Sequence, residues 1–131
     1  MSCGILDTSI LIAQDDADLT SSLPDEAAIS VATLAELHYG VLVARDDATR
    51  QQRLRRLGEV EATFAAIPID EAVARAYATA AHAVRNAGAQ PRARVMDLWI
   101  AATSLAHDIP LYTRNRDDFV ALVTLIEVRS V

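Results

Sequence analysis

Three short apolar runs in this chain each lead into an acidic residue and a helical pattern. The runs are Ile5-Leu6 before Asp7, Val95-Met96 before Asp97, and residues 110–113 before the acids at 117 and 118. Strands that alternate with helices predict a mainly parallel sheet with helices on both faces, which is the α/β class. Because the ends of neighbouring parallel strands meet at one sheet edge, we expect these acids to lie close together there.

The size and composition of the chain favour one small domain over residues 1–131. The chain is 52% hydrophobic but only 5% aromatic, which suits helices on a small sheet better than a β-sandwich. Cys3 is the only cysteine, so disulfide frameworks and thiolate metal clusters are excluded. Since there is neither a secretory leader pattern nor a membrane-length apolar run, we expect a soluble cytoplasmic protein.

The charge of the chain argues against general adhesion to nucleic acid, because the formal net charge is −6. All 12 basic residues are arginine. Arginine binds phosphate and carboxylate through two parallel hydrogen bonds, so a local phosphate site is still compatible with the composition. The absence of lysine excludes P-loop ATPases, receiver domains and Schiff-base enzymes.

The hydrophobic pattern predicts strands at residues 4–6, 28–31, 66–69, 110–113 and 125–128. Helices are predicted at 8–13, 32–44, 46–64, 98–106 and 116–122, with Gly58 as a candidate interruption. Another helix is capped by Asp70, runs to residue 86 or 87 and ends at Gly88. Residues 14–26 and 89–94 are predicted to be loops.

Two of the acids have an ordinary explanation as helix N-caps, which contribute about 1 kcal/mol each. Asp7 and Asp97, however, both lie between apolar neighbours, and Leu98-Trp99 after Asp97 places that carboxylate beside the core. A charge in such a place needs a partner. Carboxylates gathered at one edge repel each other unless a cation joins them, so the pattern predicts a divalent-metal site.

Glu36 is the acid that helix capping explains least. In the predicted helix 32–44 the larger apolar residues recur at helical spacing, whereas Thr33, Glu36 and Gly40 share the other side. This face leaves room for a ligand to approach the carboxylate. The set of oxygen donors indicates Mg²⁺ or Mn²⁺ rather than zinc, because the three histidines lie far apart and have no paired spacing.

The fourth acid lies in the segment 113–119. With Asn115 as the N-cap of the following helix, Asp118 takes the third helical position, so we prefer Asp118 and keep Asp117 as its substitute. Candidate substrate-binding groups lie beside the acids: the hydroxyls of Thr8 and Ser9, the amide of Asn115, and Arg92, Arg94 and Arg116. Arginines in these places suit contacts to a phosphate backbone.

Together the four acidic motifs resemble the PIN-domain ribonucleases, and within them the VapC toxins of bacterial toxin–antitoxin pairs. The motifs are Leu6-Asp7-Thr8-Ser9, Thr33-Leu34-Ala35-Glu36-Leu37 with Gly40, Asp97-Leu98-Trp99-Ile100-Ala101-Ala102, and Thr113-Arg114-Asn115 with Asp118-Phe119. Each motif is short, but four in this order over nearly the whole chain form a specific signature. The resemblance implies a three-layer α/β/α domain of PIN type around a central, mainly parallel sheet of about five strands.

What the resemblance implies for function is a Mg²⁺-dependent endoribonuclease, with Mn²⁺ as the alternative metal. Such an enzyme hydrolyses phosphodiester bonds in structured cellular RNA, tRNA or rRNA, and so inhibits translation and growth. Asp7 and Asp97 would hold the metal, and Glu36 and Asp118 would contribute by ligation or through bound water. A homodimer is also implied, as is a VapB-type antitoxin whose tail fills the active groove of a heterotetramer or larger complex.

Three other interpretations are weighed against this one. A phosphohydrolase with Asp7 as nucleophile is disfavoured, because such enzymes need a second Asp at position 9, which is Ser here. A non-catalytic PIN-like module that binds RNA or protein is the main alternative. A nuclease of the same fold that cuts DNA is the third, since the metal chemistry does not itself distinguish the two sugars.

Overall fold

Five parallel strands form the centre of the protein in a computed structural model that describes residues 2–13 and 22–131. The strands are β1 (Cys3–Leu6), β2 (Glu26–Ser30), β3 (Ala65–Ile67), β4 (Leu111–Thr113) and β5 (Val128–Ser130). Their order is β3-β2-β1-β4-β5, and every neighbouring pair is parallel. The chain therefore extends the sheet in both directions from β1, which makes the carboxyl end of β1 the switch point where α/β folds place their sites.

Helices cover both faces of this sheet. They are α1 (Thr8–Ile12), α2 (Val31–Leu42), α3 (Asp47–Thr63), α4 (Glu71–Asn86) and α5 (Val95–His107), with 3₁₀ helices at Pro91–Arg94 and Arg116–Leu122. Ile5 and Leu6 on β1 are both fully buried but belong to separate core clusters. Because successive side chains of a strand point to opposite faces, both faces of β1 are covered. The predicted α/β/α architecture is confirmed.

The ends of α4 follow the sequence prediction. The Asp70 side chain accepts a hydrogen bond from the Val73 N–H at 3.0 Å, and Gly88 after the helix has a φ of 89°. Gly58, in contrast, does not interrupt α3, so that prediction is wrong. It lies on the exposed surface of an unbroken helix, where a glycine costs only about 1 kcal/mol relative to alanine.

Two elements differ from their predictions. The apolar run before Asp97 is not a separate segment that ends at the acid: Val95 already begins α5, and the supposed loop before it contains the 3₁₀ helix Pro91–Arg94. The last strand lies at Val128–Ser130 rather than 125–128. Leu125 and Ile126 instead close a turn by donating their N–H groups to the Leu122 carbonyl.

The predicted loop 14–26 lies partly outside the described residues, which exclude 14–21. Within the described part of the chain, no helix combines the length and apolarity needed to cross a membrane.

Candidate active site

One surface cavity of about 420 Å³ at the carboxyl end of β1 brings the predicted acids together. Asp7 directly follows β1, Glu36 lies on α2, Asp97 lies in the first turn of α5, and Asp118 lies in the 3₁₀ helix Arg116–Leu122. All four line this cavity. The lining also includes Thr8, Ser9, Arg114 and Asn115. Four carboxylates from four separate elements therefore face the same space.

Asp7 is the deepest of the four acids and is held by hydroxyl groups. It is 5% exposed, and its Oδ2 accepts hydrogen bonds from Ser9 Oγ and from Thr113 Oγ1, both at 2.8 Å. Although Asp7 occupies the N-cap position of α1, its side chain makes no capping hydrogen bond. Helix capping is therefore not the role of this carboxylate. Its orientation is set by the hydroxyl groups of Ser9 and Thr113 at the carboxyl edge of the sheet.

Thr113 is a site residue that sequence reasoning missed. It ends β4, the strand paired with β1, and is fully buried. Its hydroxyl donates to Asp7 and accepts the Asn115 N–H at 3.0 Å, so it links two of the acidic motifs. The available signal was its place as the polar residue that closes a predicted strand, next to the strand that carries Asp7.

Glu36 is half-buried on α2 and faces Thr8, whose Oγ1 donates to Glu36 Oε1 at 2.7 Å. Burial raises the pKa of Glu36, the Thr8 hydrogen bond lowers it in part, and the charge of Asp7 adds to the rise. The small-residue face predicted for this helix thus holds its carboxylate against α1, within the electrostatic reach of Asp7.

The pKa of Asp97 reflects its burial and the negative charge of the other three acids around it. Burial and the repulsion from Asp7, Asp118 and Glu36 together raise the pKa of Asp97 to about 6, against the opposing charge of Arg94. An ordinary exposed Asp has a pKa near 3.9. Asp97 is therefore coupled to each of the other three acids, and the pocket has a deficit of positive charge near neutral pH.

The choice between the two acids after Asn115 favours Asp118. Asp118 lines the main cavity and pairs with Arg94, whereas Asp117 lines a smaller, neighbouring cavity of about 70 Å³. Asn115 lines the main cavity and takes the predicted N-cap position, which puts Asp118 third in the helix, but its side chain makes no cap hydrogen bond. The helix there is 3₁₀, and its first turn is closed by the Asp118 N–H donating to the Asn115 carbonyl.

The predicted substrate-binding residues divide into two groups. Thr8, Ser9 and Asn115 line the cavity, and Arg94 lies against its acids. Arg92 and Arg116 are exposed and are not among the residues that line it. Arg114, which flanks the last acidic motif, also lines the cavity, and its backbone N–H donates to Ser9 Oγ at 3.1 Å.

The chemistry of the pocket suits a hard divalent cation, although its ligands are not yet gathered around one point. Within residues 2–13 and 22–131, no three His, Cys, Asp or Glu side chains form a ready metal-binding group. Carboxylate oxygens are nevertheless the donors that Mg²⁺ or Mn²⁺ prefers, and such a cation would relieve their repulsion.

Comparison with known proteins gives a consistent family. The PIN domain family model matches residues 5–123. Ribonuclease VapC5 of Mycobacterium tuberculosis is 41% identical over 121 residues, which cover 91% of this chain and 87% of the relative. Ribonuclease VapC8 of the same species is 39% identical over 101 residues, which cover 77% of this chain and 89% of the relative.

A solved structure shows the same fold. The crystal structure of VapBC-5, a member of the VapBC family of toxin–antitoxin systems from Mycobacterium tuberculosis, aligns with a TM-score of 0.86 and 38% sequence identity. The alignment covers 100% of both chains. The family model, the relatives and the fold therefore agree.

Proposed function

Because this chain belongs to the PIN-domain family, as a relative of the VapC ribonucleases, we propose that it is a metal-dependent endoribonuclease and the toxin of a toxin–antitoxin pair. The observation that carries this proposal is the convergence of Asp7, Glu36, Asp97 and Asp118 on one cavity. Burial and the charges of Asp7, Asp118 and Glu36 raise the pKa of Asp97 to about 6, and a strongly shifted pKa in a cleft is typical of a functional site. Such a cluster is suited to binding a cation and a phosphate together.

Each acid has a defined task in the proposed reaction. Asp7 and Asp97 hold the metal, with Glu36 and Asp118 as further ligands or as acceptors for an ordered water. When bound, Mg²⁺ or Mn²⁺ supplies charge neutralisation at the phosphate and increases the acidity of the attacking water. Ser9 and Thr113 keep the Asp7 carboxylate in one orientation, and the Thr8 hydroxyl does the same for Glu36.

The proposed substrate is structured cellular RNA, tRNA or rRNA, whose cleavage would inhibit translation and growth. An acidic pocket alone repels a polyanion, so the approach of RNA depends on arginines around the rim. Arg114 lines the cavity, Arg92 is exposed on the 3₁₀ helix before α5, and Arg116 is exposed on the 3₁₀ helix that carries Asp118. Guanidinium groups in these places would bind flanking phosphates while the metal neutralises the one that is attacked.

The proposed partner is a VapB-type antitoxin, since the related VapBC-5 structure is named as a toxin–antitoxin system. Beside the active cavity, a second one of about 320 Å³ is lined by Leu37, Arg53 and Arg56 and shares Thr8, Ile12 and Glu36 with the first. Large apolar side chains are exposed nearby on α2, including Tyr39 at 66% and Leu42 at 77%.

This surface suits an amphipathic antitoxin helix whose tail continues into the acidic cavity. An arginine in that tail would be attracted by the carboxylates. The proposal also includes a cytoplasmic location, a homodimer of the toxin, and a heterotetramer or larger complex with the antitoxin. Light scattering on the purified toxin, alone and with its antitoxin, gives both assembly sizes.

The test of this proposal is digestion of matched RNA and DNA oligonucleotides by the purified protein with Mg²⁺ or Mn²⁺. We expect cleavage of the RNA alone, together with growth arrest when the chain is expressed without its antitoxin. Cleavage of the DNA alone would favour a DNA-directed nuclease. Binding of RNA without cleavage, in metal-loaded protein freed of antitoxin, would favour the non-catalytic module.

A further inference from the structure

Arg94 contacts two pocket acids that come from different parts of the chain. Its Nη1 lies 2.8 Å from Asp118 Oδ1 and 3.8 Å from Asp97 Oδ2. Arg94 ends the first 3₁₀ helix, directly before α5, whereas Asp118 belongs to the second 3₁₀ helix near the end of the chain. The contact therefore joins two separate segments and places a positive charge beside two of the four carboxylates.

The electrostatic effect of this contact is mutual. The hydrogen bond to Asp118, followed by the charges of Asp118 and Asp97, raises the pKa of Arg94. The guanidinium in turn opposes the rise in the Asp97 pKa that burial and the other acids cause. In the metal-free protein, Arg94 thus supplies part of the charge neutralisation that the proposed metal would supply in the active form.

The same contact conflicts with metal binding. An oxygen that ligates Mg²⁺ lies about 2.1 Å from the ion. Asp118 Oδ1 is directed at a guanidinium instead, and two cations cannot share that position without strong repulsion. The side chains of Arg94 and Asp118 are 41% and 40% exposed, so both can turn without opening the core.

We infer that Arg94 is a resident countercation of the acidic pocket, which a divalent metal displaces from Asp118, and which then binds a phosphate of the RNA. The inference rests on the proposed metal-dependent function. It assigns Arg94 two partners in succession, a carboxylate in the resting protein and a phosphate in the substrate complex. Guanidinium groups bind both in the same two-pronged geometry, so one side chain can serve in turn.

Loss of Arg94 should therefore strengthen metal binding and weaken RNA binding. Removing the guanidinium ends its competition with the metal, so the affinity for the metal increases. It also removes a phosphate contact, so the KM for RNA at saturating metal increases as well. A purely structural role for Arg94 would instead weaken metal binding, because the pocket would lose its shape.

The experiment is calorimetric titration of Mn²⁺, without RNA, into the wild-type protein and the variants R94Q, R92Q, D118N and R94Q/D118N. We expect R94Q to bind Mn²⁺ about three- to fivefold more tightly than the wild type, the size expected for a part-exposed ion pair. R92Q is the matched control for charge, since Arg92 lies on the same 3₁₀ helix and has no ion pair among the described residues. It should bind Mn²⁺ with nearly wild-type affinity.

The D118N background tests whether Arg94 acts through Asp118. If it does, the double variant binds Mn²⁺ no more tightly than D118N alone. Equal Mn²⁺ affinity of R94Q and wild type, while RNA cleavage remains sensitive to EDTA, would overturn the inference and leave the proposed function intact. Absence of Mn²⁺ binding by the wild type and all variants would overturn both the inference and the metal dependence.

Discussion

The Thr113 hydroxyl donates a hydrogen bond of 2.8 Å to Asp7 Oδ2, and so joins the ends of β4 and β1. The two residues are 106 positions apart in sequence but adjacent across a parallel strand pair. Ser9 Oγ donates to the same oxygen, also at 2.8 Å. A charge that is buried at the end of a central strand is thereby satisfied by two neutral hydroxyls, which leaves its negative charge available to a cation.

Replacing Thr113 with valine should impair the site while keeping the shape of the side chain. The variant removes one of the donors to Asp7 and leaves the Asn115 N–H without its acceptor. We expect a loss of stability of roughly 1–3 kcal/mol and a decrease in cleavage rate of about ten- to a hundredfold, because Asp7 is no longer held in one orientation. Chemical denaturation and single-turnover cleavage measure the two effects.

The matched control is Thr113→Ser, which keeps the hydroxyl and loses only a methyl group. It should retain most of the cleavage rate. A Thr113→Val protein that cleaves as fast as the wild type would show that this hydrogen bond does not position the Asp7 carboxylate for the reaction.

Changing Asp97 to asparagine should stabilise the metal-free protein above pH 6. The folded-state pKa of Asp97 is raised from 3.8 to about 6, so folding favours its protonated form and disfavours its charge. Well below the unfolded-state pKa of 3.8 the group is protonated in both states and there is no penalty. As the pH rises through 6, the folded protein acquires the full penalty, which the pKa difference limits to about 3 kcal/mol and solvent screening reduces.

Thermal unfolding in EDTA at pH 3 and pH 8 measures this effect. The melting temperature of Asp97→Asn should exceed that of the wild type at pH 8, and the two should converge at about pH 3, below the unfolded-state pKa of 3.8. A lower melting temperature at pH 8 would mean that the Asp97 charge stabilises the metal-free fold, contrary to the repulsion described above.

Metal affinity should depend on pH through the same carboxyl group. Since Asp97 must be ionised to bind a cation, the affinity for Mn²⁺ should increase as the pH rises through about 6. Between pH 5 and pH 7 the ionised fraction, and with it the affinity, should change by about tenfold. Titration calorimetry across this range gives the values, and an affinity that stays flat from pH 5 to pH 7 would be incompatible with the raised pKa.

The proposed antitoxin surface can be tested away from the acids. Leu42 is 77% exposed at the end of α2, so Leu42→Asp should leave the fold and the RNA cleavage of the isolated protein unchanged. Burying the new charge against an apolar partner would be costly, so antitoxin binding should weaken at least about tenfold. Gln52, which is exposed on α3, offers a matched control as Gln52→Asp. Equal antitoxin affinity for the wild type and Leu42→Asp would place the partner elsewhere.

Much of the fold could be predicted from the sequence because strands and helices alternate with clear periods. Prediction was wrong where apolar runs were short. Val95-Met96 could end a strand or begin a helix, because periodicity does not separate the two over so short a length. In the structure these residues begin α5, directly after the 3₁₀ helix at Pro91–Arg94. At the other end, Leu125 and Ile126 are as apolar as a strand but close a turn on Leu122.

For the site, the acids could be found from their unusual apolar surroundings, whereas their partners could not. The sequence marks Thr113 only as the polar residue that closes a predicted strand, because its contact with Asp7 depends on which strands are neighbours. The pairing of Arg94 with Asp118 likewise depends on how two separate 3₁₀ helices pack. Long-range contacts of this kind require the three-dimensional arrangement.

Whether the acidic pocket is a metal-dependent ribonuclease site is decided by cleavage of a total small-RNA pool by the purified, antitoxin-free protein. It is run with Mg²⁺ or Mn²⁺, with EDTA, with metal restored after EDTA, and with the Asp97→Asn variant. We expect discrete fragments that vanish in EDTA, return with the metal and are absent for Asp97→Asn. Fragments that persist in EDTA, or an Asp97→Asn protein of full activity, would contradict the assignment of the acidic pocket as a metal-dependent ribonuclease site.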